Sequence, residues 1–580
     1  MIKKIFFVAA AFVLALLLAF RHRDKQKSNS GKKVSSSVRE KNVVRCSPDW
    51  EALKEWLEET DIPLLPGAGN HQWKISTYSD SAQLYFNQGI NMYYGFHIIE
   101  AMASFKKAAK FDSTCAMLYW AQALAYGPNI NDFGYSASPD ALTAVQNAKT
   151  FMNMAPGREK MLIYAQMARY SADSTQSRQK LNQIYTDKMK QVYERYPNDG
   201  DIAALYADAM MLQHPWDLWN TNGTPKPWTP LIREVLEKTL AQYPDHPGSN
   251  HYYIHVMEPS PFADEALPSA DRLGLTNPGL SHLVHMPSHI YLRTGRYQRG
   301  VEVNISAVNS YTIYKTFFAP AGGNDFLYFI HNLHMKTNNA MLAGRYKTSI
   351  DAANETRASV PADYLNIPPP MGNYLQYIHI TPVLTYVRFG NWNELLQLSQ
   401  PDKTHVFSNI MYHFGRGFAF AKQKKFDSAG GELDNLREWM KDSSLSIPFV
   451  PFSPASDGAK IAEQLLLGVI HEERKLYNGA IRHYRLADSI ESHMVYNEPR
   501  DWMLNPKHFL GNAYLKAGRT KEARDILQKD LLNNKENGWA LFGIWQALMK
   551  EKKITEAGKV LVRFKKAFAK ADIKLYGPVF

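Results

Sequence analysis

Cysteine is almost missing from this chain: Cys46 and Cys115 are the two in 580 residues. That excludes a disulfide framework and a thiolate metal cluster. Cys115 sits in the apolar run DSTCAMLYWAQALA and reads as a small core residue. Fingerprint motifs are missing too, with no P-loop, no dinucleotide-binding glycine pattern and no nucleophile motif, so no nucleotide cofactor is expected. Positive charge is scarce outside the first residues. Residues 1–45 carry eleven Lys and Arg against Asp24 and Glu40, nine of the formal +12, and three remain for the other 535 residues. A nearly neutral body argues against a nucleic-acid partner.

Long hydrophobic runs are limited to one. Residues 5–20 (IFFVAAAFVLALLLAF) lie between Lys3-Lys4 and Arg21/Arg23 and have the shape of a secretory signal. A helix of that length spans about 24 Å, short of a ~30 Å bilayer core but workable with snorkelling arginines. No small-x-small cleavage site follows. The expectation is an N-terminal hydrophobic helix that anchors the chain in the membrane, with the rest in the cell envelope outside the cytoplasm; the alternative is a cleaved signal and a secreted or periplasmic protein. The divisions are 1–23 anchor or signal, 24–45 basic Ser/Lys-rich linker, 46–81 lead-in, 82–404 helical repeats and 405–580 further repeats.

What is abundant is repetition. Gly89, Ala101, Phe105 and Ala108 stand at offsets 0, 12, 16 and 19. The offsets recur in Gly468, Ala480, Tyr484 and Ala487, in Gly417, Ala429, Leu433 and Leu436, and in Gly511, Ala523 and Leu527, with Asp530 off-pattern. Small residues at the first two offsets let two helices approach, and the later positions fill the seam. A helix pair recurring every 34 residues resembles the tetratricopeptide repeat. The resemblance implies an all-α solenoid, a superhelix of antiparallel helix pairs whose first helices line a concave groove.

Three successive units, starting at Pro247, Ser281 and Ile330, carry a histidine cluster in shared register. His282 and His331 fall at repeat position 2, His251, His285 and His334 at position 5, His255 and His289 at position 9, and Glu258 at position 12. Spacings of three and four put these on one face of each first helix. In tetratricopeptide repeats those positions face the groove, while positions 8, 20 and 27 fill the core; this is what the resemblance implies.

Neutral imidazole is the commonest metal ligand, and zinc, iron or copper suits such N/O ligation. Helix spacing of 8–10 Å lets two neighbouring helices share an ion but not all three. A site centred on His285 and His289, or two nearby metals, is expected. Glu258 is read as a ligand, as a general base on metal-bound water, or as a carboxylate orienting a histidine. The alternatives are histidines that line the groove as hydrogen-bonders, with Tyr252, Tyr253 and Tyr291 packing beside them, or a metal-free catalytic pocket.

Weaker features surround the cluster. The insertion after His214-Pro215-Trp216-Asp217 reads as a lid or as an ordinary loop with buried tryptophans. Asp208 faces the same groove or solvates its helix. The basic last helix reads as the polar outer face of a capping unit.

Residues 95–131, LYADAMMLQHPWD, HPGSNHYYIHVME, HLVHMPSHIYLRTGRY and HNLH together resemble a more specific group of bacterial tetratricopeptide-repeat proteins, over roughly residues 82–350. Ser113 and Ala121 depart from the usual repeat proline and glycine. No settled activity comes with that resemblance. The reading is an exported, membrane-tethered repeat protein with a metal site in its groove, acting as a hydrolytic or oxidative metalloenzyme. The alternative is a scaffold without metal or catalysis that takes a peptide, protein or small-molecule ligand in the groove.

Overall fold

The computed structural model describes residues 48–132, 135–318, 325–498 and 502–580. The hydrophobic run at 5–20 and the linker at 24–45 lie outside the described residues. Among the described residues no helix is long and apolar enough to cross a membrane.

Helices succeed one another along the chain, each packed on the next, and among the described residues the only β features are two isolated bridges. The turn between paired helices repeats closely. Phe96, Gly295, Gly344, Gly390, Lys424, Lys475, Gly518 and Lys552 all have φ between +57° and +76°, and each stands two residues before the next helix. The following residue's amide reaches back five positions, as in His97 N to Met92 O (3.0 Å), Arg345 N to Ala340 O (2.9 Å) and Lys553 N to Leu548 O (2.9 Å). That is the Schellman closure, which satisfies the carbonyls a helix leaves open at its end.

The seam between paired helices is where the glycine offsets place it. A Cβ on Gly89 would lie 2.3 Å from Phe105, one on Gly468 2.2 Å from Tyr484, and one on Gly511 2.7 Å from Leu527. Only a hydrogen fits there. Gly417 differs, meeting Leu466 of a neighbouring pair.

An ideal solenoid touches only neighbouring repeats; this one closes on itself. Arg293 Nη1 donates to Asn533 O (3.0 Å), Tyr297 OH to Lys535 O (2.8 Å) and Trp539 Nε1 to Met341 O (2.9 Å). The Asp572 carboxylate accepts from the Tyr346 and Lys347 amides (2.5 and 3.0 Å), capping the helix Tyr346–Ser359 from 225 residues away. The concave groove is therefore covered, at the histidines, by the chain's own C-terminal half. Burial of apolar surface between the two halves drives this closure.

Candidate metal centre

The helix Pro247–Met257 starts at the residue where the repeat register starts. Proline fits its first turn, and His246 caps it by accepting the Ser249 amide on Nδ1 (3.0 Å). The next unit also begins on register, as Ser281–His285, then breaks at Met286 and resumes as Pro287–Arg293. Pro287 has no amide hydrogen to continue the ladder. The third helix, Asp325–Leu342, starts five residues before Ile330.

These helices bring seven of the eight predicted residues together, as two groups of three histidines joined by a carboxylate. One ring nitrogen each of His251, His255 and His282 lies within 4.8 Å of the others, and the same holds for His285, His289 and His331. Each triad draws on two neighbouring repeat units, as helix spacing requires. Glu258 stands between them, with Oε1 2.9 Å from His255 Nδ1 and Oε2 2.9 Å from His289 Nδ1. His334 is the exception. Its Nε2 faces Met503 Sδ at 3.1 Å and its ring lies against Tyr377. Three residues beyond His331, it is turned about 60° round the helix, toward the returning C-terminal half.

Proton bookkeeping fixes the ring tautomers. His251 Nδ1 donates to Tyr94 O (2.6 Å) and His255 Nδ1 to Glu258. Asn304 Nδ2 donates to Gly300 O, so its Oδ1 accepts the hydrogen of His285 Nδ1 (2.6 Å). His289 Nδ1 lies 2.9 Å from the second Glu258 oxygen but is not aligned to bond it. In His251 and His285 Nε2 is left with its lone pair. Yet His285 Nε2 and His289 Nε2 face each other at 2.8 Å, with His331 Nε2 3.4 Å from the latter, and His282 Nε2 lies 3.1 Å from His251 Nε2. Ligand nitrogens on one tetrahedral ion stand about 3.3 Å apart.

A lone pair that meets a second ring nitrogen is satisfied by that ring's hydrogen or by a cation shared between the two. Burial first and neighbouring imidazoles second push His251, His282, His285 and His331 well below the usual imidazole range, which favours the neutral ring that a metal takes. His255 goes the other way. Burial opposes its charge, but the Glu258 and Glu498 carboxylates outweigh that and raise it to about 9. Burial would likewise raise Glu258, but the His289 and His255 rings hold it well below the usual carboxylate range.

Several residues of this centre carry no local sequence signal. Tyr496 donates its hydroxyl to Glu258 Oε2 (2.5 Å), and Glu498 Oε1 lies 3.2 Å from His255 Nδ1; both come from the C-terminal half. The Phe96 ring packs 4.6 Å from His251 and 5.5 Å from His282, and Trp216 stands edge-on to His255 at 5.3 Å. Both have positive φ (57° and 62°), costly for a bulky side chain and characteristic of functional sites. The insertion that carries Trp216 is therefore held on the site, with Trp219 Nε1 bonded to Val256 O (2.7 Å). Tyr328 packs 4.7 Å from His282. Asp208 is elsewhere, buried with Tyr93 OH 3.5 Å from its Oδ2. Tyr253 and Tyr291 bond Glu237 and Asp271 outside the cluster.

A further group, His71, Asp201 and His246, also gathers within metal-ligand distance. His71 Nε2 and Tyr94 OH both lie 2.8 Å from Asp201 Oδ1, and His246 Nε2 lies 3.4 Å away. Since His246 Nδ1 accepts an amide, its ring proton is on Nε2, which cannot then ligate. This trio is a hydrogen-bonded array. It floors a cleft of about 1210 Å³.

Fold and site together define a closed array of tetratricopeptide-type helix pairs with two buried three-histidine groups. No family model and no curated protein matches the chain. Among solved structures it pairs with a human IFIT1 dimer with PPP-AAAA, at 14% identity and TM-score 0.31 over 89% of this chain and 100% of that one. It also pairs with yeast Tom70, at 10% identity and TM-score 0.28 over 84% and 90%, and with the APC/C Cut9–Hcn1 hetero-tetramer, at 13% and 0.23 over 85% and 94%. At such scores the likeness carries no weight; the helix-pair assignment rests on the turns and seams of this chain.

Proposed function

We propose that this protein binds two neighbouring transition-metal ions, one in each histidine triad, and is a metalloenzyme. The observation that carries the reading is the His285–His289–His331 group: with the His285 Nδ1 hydrogen committed to Asn304, its Nε2 lone pair faces His289 Nε2 at 2.8 Å in a fully buried place, and His331 Nε2 lies 3.4 Å from the latter. Zinc, iron and copper all suit such a nitrogen set. Three protein ligands leave a tetrahedral ion one open position, the arrangement of catalytic rather than structural sites. Glu258 then acts by orienting His255 rather than as ligand or base, because one oxygen is taken by that ring and the other by Tyr496, with His289 Nδ1 2.9 Å from it. The membrane anchor and cell-envelope location belong to the same proposal and rest on the run at 5–20.

Elemental analysis of the chain purified without chelator or histidine tag tests this. About two ions per chain are expected in the parent. About one is expected in His285→Ala/His289→Ala and about one in His251→Ala/His282→Ala, with helicity by circular dichroism kept. No metal in the parent after incubation with zinc, iron(II) and copper in turn would overturn it.

A second reading, a binding module for a peptide or protein partner, is supported at a different place. With the groove over the histidines filled, the open concavity is the cleft above His71, walled by the exposed Arg195, Asn198, Gln242 and Tyr243. Partner capture lost in an Arg195→Glu/Gln242→Ala variant with metal content unchanged would favour it.

A further inference from the structure

A cavity of about 100 Å³ lies against both triads. Its wall includes His282 of the first and His331 of the second, so a molecule held there lies beside both. Glu498, Asn131 and Asn497 are its other polar members, and no lysine, arginine or aspartate lines it among the described residues. Aromatic rings form much of the remainder. Trp216, already edge-on to His255, stands 6.0 Å from Phe452, which is 5.5 Å from Phe449, which is 5.7 Å from Tyr374. Tyr328 closes the side over His282.

Aromatic walls of this kind suit two classes of small ligand, an uncharged flat molecule or a quaternary ammonium. The surroundings choose between them. Two bound metal ions would repel a cation, and the one carboxylate in the wall, Glu498, is directed at His255 (3.2 Å). An anion finds no fixed positive side chain among the described lining residues. Size narrows the class further: an apolar cavity of about 150 Å³ takes benzene, and this one is about two thirds of that.

We infer that this cavity is the substrate pocket of the two centres and takes an uncharged, flat, mainly apolar molecule of about five non-hydrogen atoms. The assignment of substrate rests on the two-metal reading. So does part of the case against a cation; the shape and aromatic lining of the pocket do not.

The test uses metal-loaded full chain and three probes of matched size: furan, tetramethylammonium and cyclopropanecarboxylate. Binding is followed by saturation-transfer NMR, with metal content measured on the same samples. Furan is expected to bind with a Kd of about 0.1–1 mM, and neither ion is expected to bind. Ile378→Trp, which fills the cavity from a wall position that is not a histidine, is expected to abolish furan binding and keep both metals; Leu327→Trp serves the same purpose should the first variant misfold. Preferential binding of either ion would overturn the inference, as would furan binding unchanged by both filling variants. Full metal occupancy with no furan binding would sink the substrate assignment alone. Furan binding in a chain that never loads metal would sink the two-metal reading instead.

Discussion

Glu258 takes the His255 Nδ1 hydrogen on one oxygen and the Tyr496 hydroxyl on the other, which also lies 2.9 Å from His289 Nδ1. A carboxylate can accept from both sides; an amide cannot. In Glu258→Gln one end of the side chain becomes a donor facing an N–H. That ring then has to move its proton to Nε2, the nitrogen an ion would use. One centre is expected to lose about 10–100-fold in metal affinity while the other keeps its ion, as measured by chelator competition. Equal, unchanged affinities would show that Glu258 sets neither tautomer. Asp208 offers a residue-scale prediction away from the metals. Burial raises it to about 7, and nearby Arg169 and Tyr93 only partly oppose that. The folded state therefore binds its proton more tightly than the unfolded chain, whose aspartates titrate near 3.9. The resulting loss of stability grows as pH rises from about 4 to about 7 and is constant above. Asp208→Asn is expected to raise Tm by about 2–4 °C at pH 8, with a smaller gain at pH 5. At this scale the sequence was informative about residue identity and poor about role. The shared register singled out seven residues that meet, yet whether Glu258 ligates or orients depends on where both oxygens point, and no spacing encodes that.

The helix-pair turn shows which elements were legible and why. Eight turns need one residue at positive φ; four use glycine and three an exposed or half-exposed lysine. Lysine there costs about 1 kcal/mol, so Lys475→Gly is expected to stabilise the chain by about 0.5–1 kcal/mol in urea unfolding, with metal content unchanged. Phe96 is the odd member, and its ring lies on His251 and His282. Phe96→Gly relieves the same strain but uncovers the histidines and loses a buried aromatic, a net loss of about 2 kcal/mol or more. The first triad should also give up its metal sooner to a chelator. A Phe96→Gly variant as stable and as slow to release metal as the parent would make the turn an ordinary one. The seam glycines were readable because close helix approach leaves no alternative residue. The starts at Pro247 and Ser281 were readable because the 34-residue register sets both. Phe96 was not, because a phenylalanine before a helix looks like any other core residue until its φ is known. His334 failed for a related reason: repeat position says which way a first helix faces, and here Met503 of the returning chain stands in that direction.

The closure of the whole array decides what the centre can do, and nothing local in the sequence announces it. Contacts joining residues about 240 positions apart leave no periodicity, so the C-terminal repeats looked like a continuation of the solenoid when they supply Tyr496 and Glu498 to the histidines. Arg293 is the tie best placed to test the consequence. It lies at the end of the helix that carries His289, with Nη1 bonded to Asn533 O (3.0 Å) and Nη2 to Ser260 O (3.0 Å), two residues from Glu258. Methionine would preserve much of the bulk and leave both carbonyls without these donors, a loss of about 1–3 kcal/mol. Much of that cost should fall on the closed arrangement rather than on the helices. Arg293→Met is therefore expected to keep its helical circular dichroism, to exchange amide hydrogens faster around Tyr496, and to lose metal to a chelator about tenfold faster, since each 1.4 kcal/mol off a release barrier is tenfold in rate. If exchange quickened there while metal release did not, the C-terminal half would be a lid over the centre's surface and not part of what holds the ions. If both quickened together, opening the array would be the route by which ions, and whatever enters the cavity between the triads, come and go.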